Sequence, residues 1–355
     1  MRSSLDPRLW GVILAGGIGS RFWPASTPAR PKQLLHLASD RPLIRETVDR
    51  IEPLIPTDRL RILTGESLAG PIGTALDAFT ADNFFIEPRP AGTAPVLVWA
   101  AAQIARTDPD AIMVSLHADH VIAPASVFRE QIREAAELAE RHRLLFTLGA
   151  VPTRPETGYG YVRPGATLEA ANQDSEAFRV ESFIEKPDAG TAAEYVSRGY
   201  LWNTGLFVWR VRDLLDEIQR HTPEISDLLP LLDEDRTADF FDRVPVLSID
   251  EGVLERSDRV GVLASRFEWD DIGAWDALFR TRELDEAGNV RIGDVHAVET
   301  TDSALYSEDG PVVAFGVRDL VIVRTGGVTF VTDRSRTADL KKLIAELPER
   351  LRTLE

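Results

Sequence analysis

An apolar run, Val12-Ile13-Leu14-Ala15, opens directly into Gly16-Gly17-Ile18-Gly19-Ser20-Arg21, and Arg30-Pro31-Lys32-Gln33 follows shortly after. No other stretch constrains the fold as much. A buried strand ending in a glycine loop leaves backbone N–H groups free to face an anion. Glycine supplies the close approach and positive φ angles such a loop needs. Arg21 and Lys32 would neutralise what the loop holds, which is the pattern of a phosphate cradle in an enzyme that handles a nucleoside triphosphate. A tight βα connection uses glycines in the same way, so the loop alone does not decide the matter. A dinucleotide fingerprint fits poorly: Phe22 stands where the third glycine belongs, and Pro24 and Pro28 prevent a clean helix from opening there. The Gly-Lys-Ser/Thr tripeptide of a Walker-type P-loop does not follow.

Downstream, short apolar runs alternate with helix-like stretches. Residues 12–15, 61–64, 84–86, 111–116, 144–149 and 206–209 read as strands, and 43–51, 93–105, 125–141 and 191–197 as helices. That alternation predicts an α/β layer whose mixed, mostly parallel sheet is flanked by helices. Ligands of such sheets sit outside the carboxyl ends of the strands, where the glycine loop falls. The character changes near residue 283. Residues 289–298, 312–317, 320–325 and 328–332 read as strands with glycine turns, and 336–347 as a closing helix. The expected organisation is a catalytic domain over 1–283 and a small β domain with a terminal helix over 284–355.

The 355-residue chain carries no cysteine, which excludes disulfides and thiolate metal sites and fits a reducing cytoplasm. The N-terminal segment up to Trp10 lacks an apolar core long enough for a signal peptide, and no run is long enough to span a membrane. A formal net charge of −17 makes duplex nucleic acid a poor partner. An acidic enzyme acting on an anionic substrate must gather positive charge locally or recruit a divalent cation, and Arg21, Arg30 and Lys32 form such a gathering.

Asp119 ends the apolar stretch Ile112-Met-Val-Ser-Leu-His-Ala-Asp, where an α/β enzyme places a metal ligand. Magnesium takes one or two carboxylates together with substrate phosphate oxygens. The second carboxylate is sought in Trp269-Asp270-Asp271-Ile272-Gly273-Ala274-Trp275. Asp271 is either that ligand or the cap of a helix starting near Ala274. His117 and His120 beside Asp119 suggest zinc, but no third or fourth ligand cluster supports it; His120 is read as structural. Glu185-Lys186-Pro187 offers a point charge for a phosphate, or an ordinary surface ion pair. Trp202-Asn203-Thr204-Gly205 offers an amide to read sugar hydroxyls, or a simple turn.

The order of these pieces carries more than any one of them. Gly-Gly-x-Gly-x-Arg with Pro-Lys is followed by Ala118-Asp119-His120, Gly158-Tyr159-Gly160-Tyr161, Glu-Lys-Pro, Trp-Asn-Thr-Gly and Trp-Asp-Asp-Ile-Gly-Ala-Trp. This series resembles the bacterial mannose-1-phosphate guanylyltransferases, of the sugar-phosphate nucleotidyltransferase family, in their short form, from about Trp10 to the C-terminus. The resemblance implies a Rossmann-like nucleotidyltransferase fold, a tail resembling a left-handed β-helix, a homodimer, and a cytoplasmic enzyme of GDP-mannose synthesis using GTP, mannose 1-phosphate and Mg2+. It implies nucleotide binding by Leu14, Ala15, Gly16, Gly17, Gly19, Ser20, Arg21, Lys32, Glu87, Pro88, Thr93, Ala94 and Asp119. It implies sugar-phosphate binding by Gly158, Tyr159, Glu185, Lys186, Asn203 and Thr204, metal binding by Asp119 and Asp271, and catalysis by Arg21, Lys32, Asp119 and Asp271. One segment departs. Where the family carries Arg-Asn before Thr-Ala-Pro, this chain has Ala91-Gly92, which removes two side chains from base recognition. His117 likewise replaces the commoner small residue or proline.

The implied reaction is in-line attack of the sugar-phosphate oxygen on the α-phosphorus, with pyrophosphate leaving. The alternatives are the same chemistry with another base or hexose, a non-catalytic sugar-nucleotide sensor, and a Rossmann dehydrogenase, which the incomplete glycine fingerprint disfavours.

Overall fold

In a computed structural model of the chain, residues 6–169 and 174–352 are described; residues 1–5, at the start of the segment that lacks a signal-peptide core, lie outside them. The apolar run before the glycine loop belongs to β1 (Leu9–Leu14). Its alternation sends Leu9 and Ile13 to one face and Trp10 and Val12 to the other, as a strand buried on both sides requires. Beside it lie β2 (Leu60–Gly65), β3 (Phe84–Glu87) and β4 (Ile112–His117), all in the same direction. A short β5 (Val121–Ala123) leaves this sheet. The sheet continues with β6 (Leu145–Ala150), β7 (Gly160–Leu168), β8 (Ala177–Glu185), β9 (Leu201–Arg210) and β10 (Val260–Ala264). Their spatial order is β3-β2-β1-β4-β9-β6-β10-β8-β7. Strands β8 and β9 run against the other seven, so the sheet is mixed but mostly parallel. A separate ribbon pairs β5 with β11 (Glu268–Asp270).

Helices cover both faces. The face with Leu9 and Ile13 is packed by α1 (Leu43–Ile51), α2 (Glu66–Ala75) and, beyond α3 (Thr93–Thr107), by α4 (Ala125–His142). A short α5 (Ala189–Ser197) is capped by Asp188, whose carboxylate accepts from Thr191 N at 2.9 Å. The face with Trp10 and Val12 is packed by α3, by α6 (Val211–His221), and by a run of short helices between 223 and 254. Among the described residues no helix is long and apolar enough to cross a membrane.

The tail is a stack of short parallel strands. Val290, Ala304 and Val321 align across β12 (Val290–Ile292), β14 (Ala304–Ser307) and β16 (Leu320–Thr325); β17 (Val328–Asp333) returns antiparallel to β16. Between the rungs, β13 (Val295–Val298) pairs in parallel with β15 (Val312–Phe315). This is a β-helix-like arrangement. The stretch 289–298, expected as one strand, is therefore two strands in different sheets. They break at Gly293, which has φ +83° and where a Cβ would lie 1.8 Å from the Ser307 carbonyl oxygen. The closing helix is also divided, into a 3-10 turn over Arg334–Asp339 and an α-helix over Leu340–Glu346.

The tail shares a core with the segments flanking the glycine loop. Phe22, Trp23, Leu35 and Leu43 pack with Ile272, Trp275 and Leu278, and with Val290, Tyr306, Val321, Val323, Phe330 and Leu340. Trp275 is at its centre, fully buried, with ring centroids 5.1 Å from Phe22 and 5.2 Å from Tyr306. Because one core serves both parts, urea unfolding is expected to be a single transition, coincident by tryptophan fluorescence and far-UV circular dichroism. Trp275→Ala should lower the unfolding free energy by about 3–5 kcal/mol without splitting that transition.

Candidate active site

The glycine loop leaves β1 at its carboxyl end and is held from behind. The Ala15 carbonyl accepts from Gln33 Nε2 at 2.9 Å and from Thr64 Oγ1 at 3.0 Å. Gly19 has φ +71°, and a Cβ there would lie 2.3 Å from the Lys32 Cβ, so glycine is required on both counts. The Lys32 N–H donates to Ile18 O at 2.9 Å, which folds the following segment back over the loop. Among the described residues, the N–H groups of Gly16, Gly17, Ile18, Gly19, Ser20 and Arg21 meet no protein acceptor. The loop thus brings unpaired donors to the rim of a cleft.

That cleft has two contiguous parts. The first, about 290 Å³, is lined by Leu14, Ala15, Gly16, Gly17, Glu87, Thr93, His117 and Asp119, together with Gln33, Pro90 and Gly92. The second, about 580 Å³, shares Gly16, His117 and Asp119 and adds Gly19, Ser20, Arg21, Lys32, His120, Asp271, Gly273 and Lys341. Asp119 and Asp271, far apart in sequence, therefore face one cavity beside Arg21. Lys32 is nearly shut away from water, and its ammonium lies 2.9 Å from Asp119 Oδ2 and 2.6 Å from the Asp271 carbonyl oxygen. Arg21 donates to Gly273 O at 3.3 Å.

The two carboxylates differ electrically. Burial opposes ionisation of Asp119, but Lys32 and the two neighbouring imidazoles outweigh it and hold its pKa at about 2. Burial pushes Asp271 up, and the Asp270 and Asp119 charges add to this; Lys32 and a 2.6 Å hydrogen bond from Tyr159 Oη to Oδ1 only partly offset it. Asp271 is thus an anion short of positive charge, with Oδ2 uncommitted. Two carboxylates on one cavity, one of them under-neutralised, are a donor set that fits a hard divalent ion.

Asp271 does not cap a helix. The turn over Trp275–Ala277 starts at Ala274 with no side-chain cap, and Asp271 is turned toward Tyr159. The local turn is held instead by Asp270, which accepts from Ile272 N at 2.8 Å and pairs with Arg280 at 2.6 Å. Ile272 has φ +44°, a strained value for a β-branched residue.

His117, Asp119 and His120 do come together, with one ligand atom from each within 4.8 Å of the others. However, Trp269 Nε1–H donates to His120 Nδ1 at 3.1 Å. That makes Nδ1 the acceptor and leaves the proton on Nε2, so His120 has no lone pair free for a nitrogen-seeking metal.

A second polar group lies along β9 on the side of His117. Asn203 Nδ2 donates to Asp250 Oδ1 at 2.9 Å, and Asn203 Oδ1 accepts from Thr147 Oγ1 at 3.1 Å. Glu185 acts electrostatically on Asp250 and pairs with Lys186, whose side chain is largely exposed. Thr204, expected from sequence as a sugar contact, points the other way. Its hydroxyl is buried and donates to Leu148 O at 2.6 Å, because successive side chains on a strand alternate faces. Two nucleotide candidates also fall outside the cleft lining: Pro88 is exposed, and Ala94 is buried with its N–H on Leu247 O at 3.1 Å. Gly158 is exposed beside Glu156, and Tyr159 supports Asp271.

The Ala91-Gly92 departure has a structural counterpart. Gly92 has φ +84°, and a Cβ there would lie 2.4 Å from Leu247 O; Leu247 N donates to Ala91 O at 3.0 Å. The 247 segment thus closes on the backbone where a longer side chain would otherwise project. Sequence reasoning places Ala91-Gly92 near the base pocket but does not reach Pro90, Asp250 and Lys341 as lining or supporting residues.

Residues 10–288 match the family described as Nucleotidyl transferase, and residues 293–347 match the MannoseP isomerase/GMP-like beta-helix domain. The mannose-1-phosphate guanylyltransferase of Escherichia coli (strain K12) is 36% identical over 96% of this chain and 73% of its own length. Mannose-1-phosphate guanylyltransferase ManC of Salmonella typhimurium is also 36% identical, with the same coverage. The crystal structure of a mannose-1-phosphate geranyltransferase from Thermus thermophilus superposes with a TM-score of 0.86 at 30% identity, covering 95% of this chain and 98% of that one. A mannose-6-phosphate isomerase from Helicobacter pylori shares the fold, with a TM-score of 0.60 at 21% identity over 74% of this chain and 99% of that one.

Asp250 gives a test of the site's electrostatics. Burial, then the Glu185 charge, raises its pKa from 3.8 to about 6. The folded chain therefore binds this proton more tightly than the unfolded chain, and the contribution to stability falls as pH rises from about 4 to about 6. Asp250→Asn keeps the acceptor for Asn203 but removes the charge. It should stabilise the protein by roughly 1–3 kcal/mol above pH 6, with the gain vanishing near pH 4, in thermal melts across that range.

Proposed function

The chain belongs to the nucleotidyl transferase family and, within it, to the mannose-1-phosphate guanylyltransferases, and from this we propose that it transfers a guanylyl group from GTP to mannose 1-phosphate, giving GDP-mannose and pyrophosphate. The observation that carries this reading is the convergence of Asp119, Asp271, Arg21 and Lys32 on one cavity at the mouth of the glycine loop.

The sugar phosphate is already an anionic nucleophile, so no general base or covalent intermediate is needed. Its oxygen bonds to the α-phosphorus while the bond from that phosphorus to the β-phosphate oxygen breaks. The protein positions the groups and stabilises charge. Open N–H groups of the loop receive the triphosphate. Arg21 stabilises the charge that builds on the phosphorus and on departing pyrophosphate, and Lys32 neutralises the same region. A divalent ion held by Asp119 and Asp271, Mg2+ in this reading, would supply further neutralisation of the reacting phosphates. Tyr159 holds Asp271 in place. Lys186, paired with Glu185, meets the sugar phosphate, and Asn203 reads the hexose. Glu87 is a half-buried carboxylate in the smaller part of the cleft, raised in pKa by its burial. A carboxylate only accepts hydrogen bonds, which suits the N–H groups of guanine. The absence of cysteine and the need for a nucleoside triphosphate pool fit the cytoplasm.

Pyrophosphate release should be measured for GTP, ATP, UTP and dTTP, each with mannose and glucose 1-phosphates, with and without Mg2+. GTP with mannose 1-phosphate is expected to lead, and chelation to abolish turnover. Asp271→Asn should lower turnover by about two orders of magnitude, the loss of roughly 3 kcal/mol of transition-state stabilisation. Preference for another pair would move the chain to a sister specificity; no release with any pair would end the reading.

We also infer a homodimer through the tail. The outward side of the β13–β15 pair carries His296, Val298, Val313 and Phe315, with Val313 69% and Phe315 67% exposed. Light scattering should give twice the chain mass, and Phe315→Ser should shift it toward one.

A further inference from the structure

The larger part of the cleft is lined by residues of the catalytic part, with one exception. Lys341 comes from the tail's closing helix, Leu340–Glu346, at the opposite end of the chain from the glycine loop. Its neighbour Leu340 is 2% exposed and packs in the shared core with Phe22 and Trp23. Trp23 Nε1 donates to Leu351 O at 3.0 Å, and Thr337 Oγ1 contacts Asp276 Oδ1 at 3.2 Å, so the segments on either side of Lys341 are fastened to the catalytic part. Lys341 is thereby presented beside Ser20 and Arg21. Its environment differs from that of the other cavity lysine. Lys32 is committed to Asp119 and the Asp271 carbonyl. Lys342 pairs with Asp339 at 3.1 Å. Among the described residues, Lys341 meets no acid.

A bound triphosphate brings several negative charges to a protein of net charge −17. Among the described cations lining this part, only Arg21 and Lys341 are not already paired with a carboxylate. We propose that Lys341 is a triphosphate-binding residue, contacting the β- and γ-phosphates that leave as pyrophosphate, so that the tail completes the nucleotide site. This rests on the nucleotidyltransferase reading.

Binding of GTP and of inorganic tripolyphosphate should be measured by equilibrium dialysis, and KM by pyrophosphate release, on the full chain. Lys341→Ala is expected to weaken both ligands by about three- to tenfold, and Lys341→Glu by more. The KM for mannose 1-phosphate should stay unchanged. Lys341→Arg should restore most of the affinity, and Lys342→Ala should behave as the parent protein, which separates a site contact from general surface charge. Unaltered GTP and tripolyphosphate binding in Lys341→Ala and Lys341→Glu would overturn the proposal, as would equal weakening in Lys342→Ala. If the parent protein binds tripolyphosphate through Lys341 yet turns over no substrate pair, the reaction fails and the anion site stands.

Discussion

Lys32 is almost wholly removed from water, yet its ammonium touches the Asp119 carboxylate at 2.9 Å and the Asp271 carbonyl at 2.6 Å. A buried ammonium persists only where such partners offset its desolvation. The same side chain lies against Gly19, whose missing Cβ makes room for it, and over the Phe22 ring at 5.8 Å. Its backbone N–H fastens the segment to Ile18. The glycine loop, the end of β4 and the 270–275 turn are thus drawn to one point by a single residue. Each depends on the others: the loop's left-handed glycine admits the lysine, and the lysine's charge allows Asp119 to stay ionised in a confined place.

Much of this is legible in the amino-acid order alone. The strand entering a glycine loop, the arginine and lysine that follow it, and the acid at the end of the fourth strand all obey local rules that a sequence exposes. What is not legible has physical causes. Strand β7 is half exposed and carries Pro164 and Gly165, so its alternation is broken. The helices between 223 and 254 are too short or irregular to show a period. Adjacency groups Thr204 with Asn203, although a strand sends neighbours to opposite sides. Asp271 stands between two roles because an acid before a turn serves either, and only the three-dimensional position of Tyr159 separates them. Lys341 looks like any lysine on a terminal amphipathic helix; its meaning comes from where the tail folds back.

The chain's strong negative charge and its anionic substrates are reconciled by local arrangement. Arg30 reaches across to Glu308 of the tail in a two-pronged pair at 2.7 Å, so this cation serves as a brace between the two parts rather than as a ligand. Arg21 stays oriented by a carbonyl, which holds the guanidinium without neutralising it. The division of labour among three nearby cations follows from their partners: an acid on the tail, a carbonyl at the turn, and an acid in the cleft.

The common core beneath the loop has a consequence for how such chains can be recombined. Phe22 and Trp23 belong to the segment that continues the glycine loop, yet they are buried by side chains contributed from Val290 onward. A chimera joined near residue 288 would graft a foreign surface onto the underside of the glycine loop. Exchanges of the terminal module should therefore be inherited together with the aromatic residues after that loop, and lineages that shuffle one without the other should be rare.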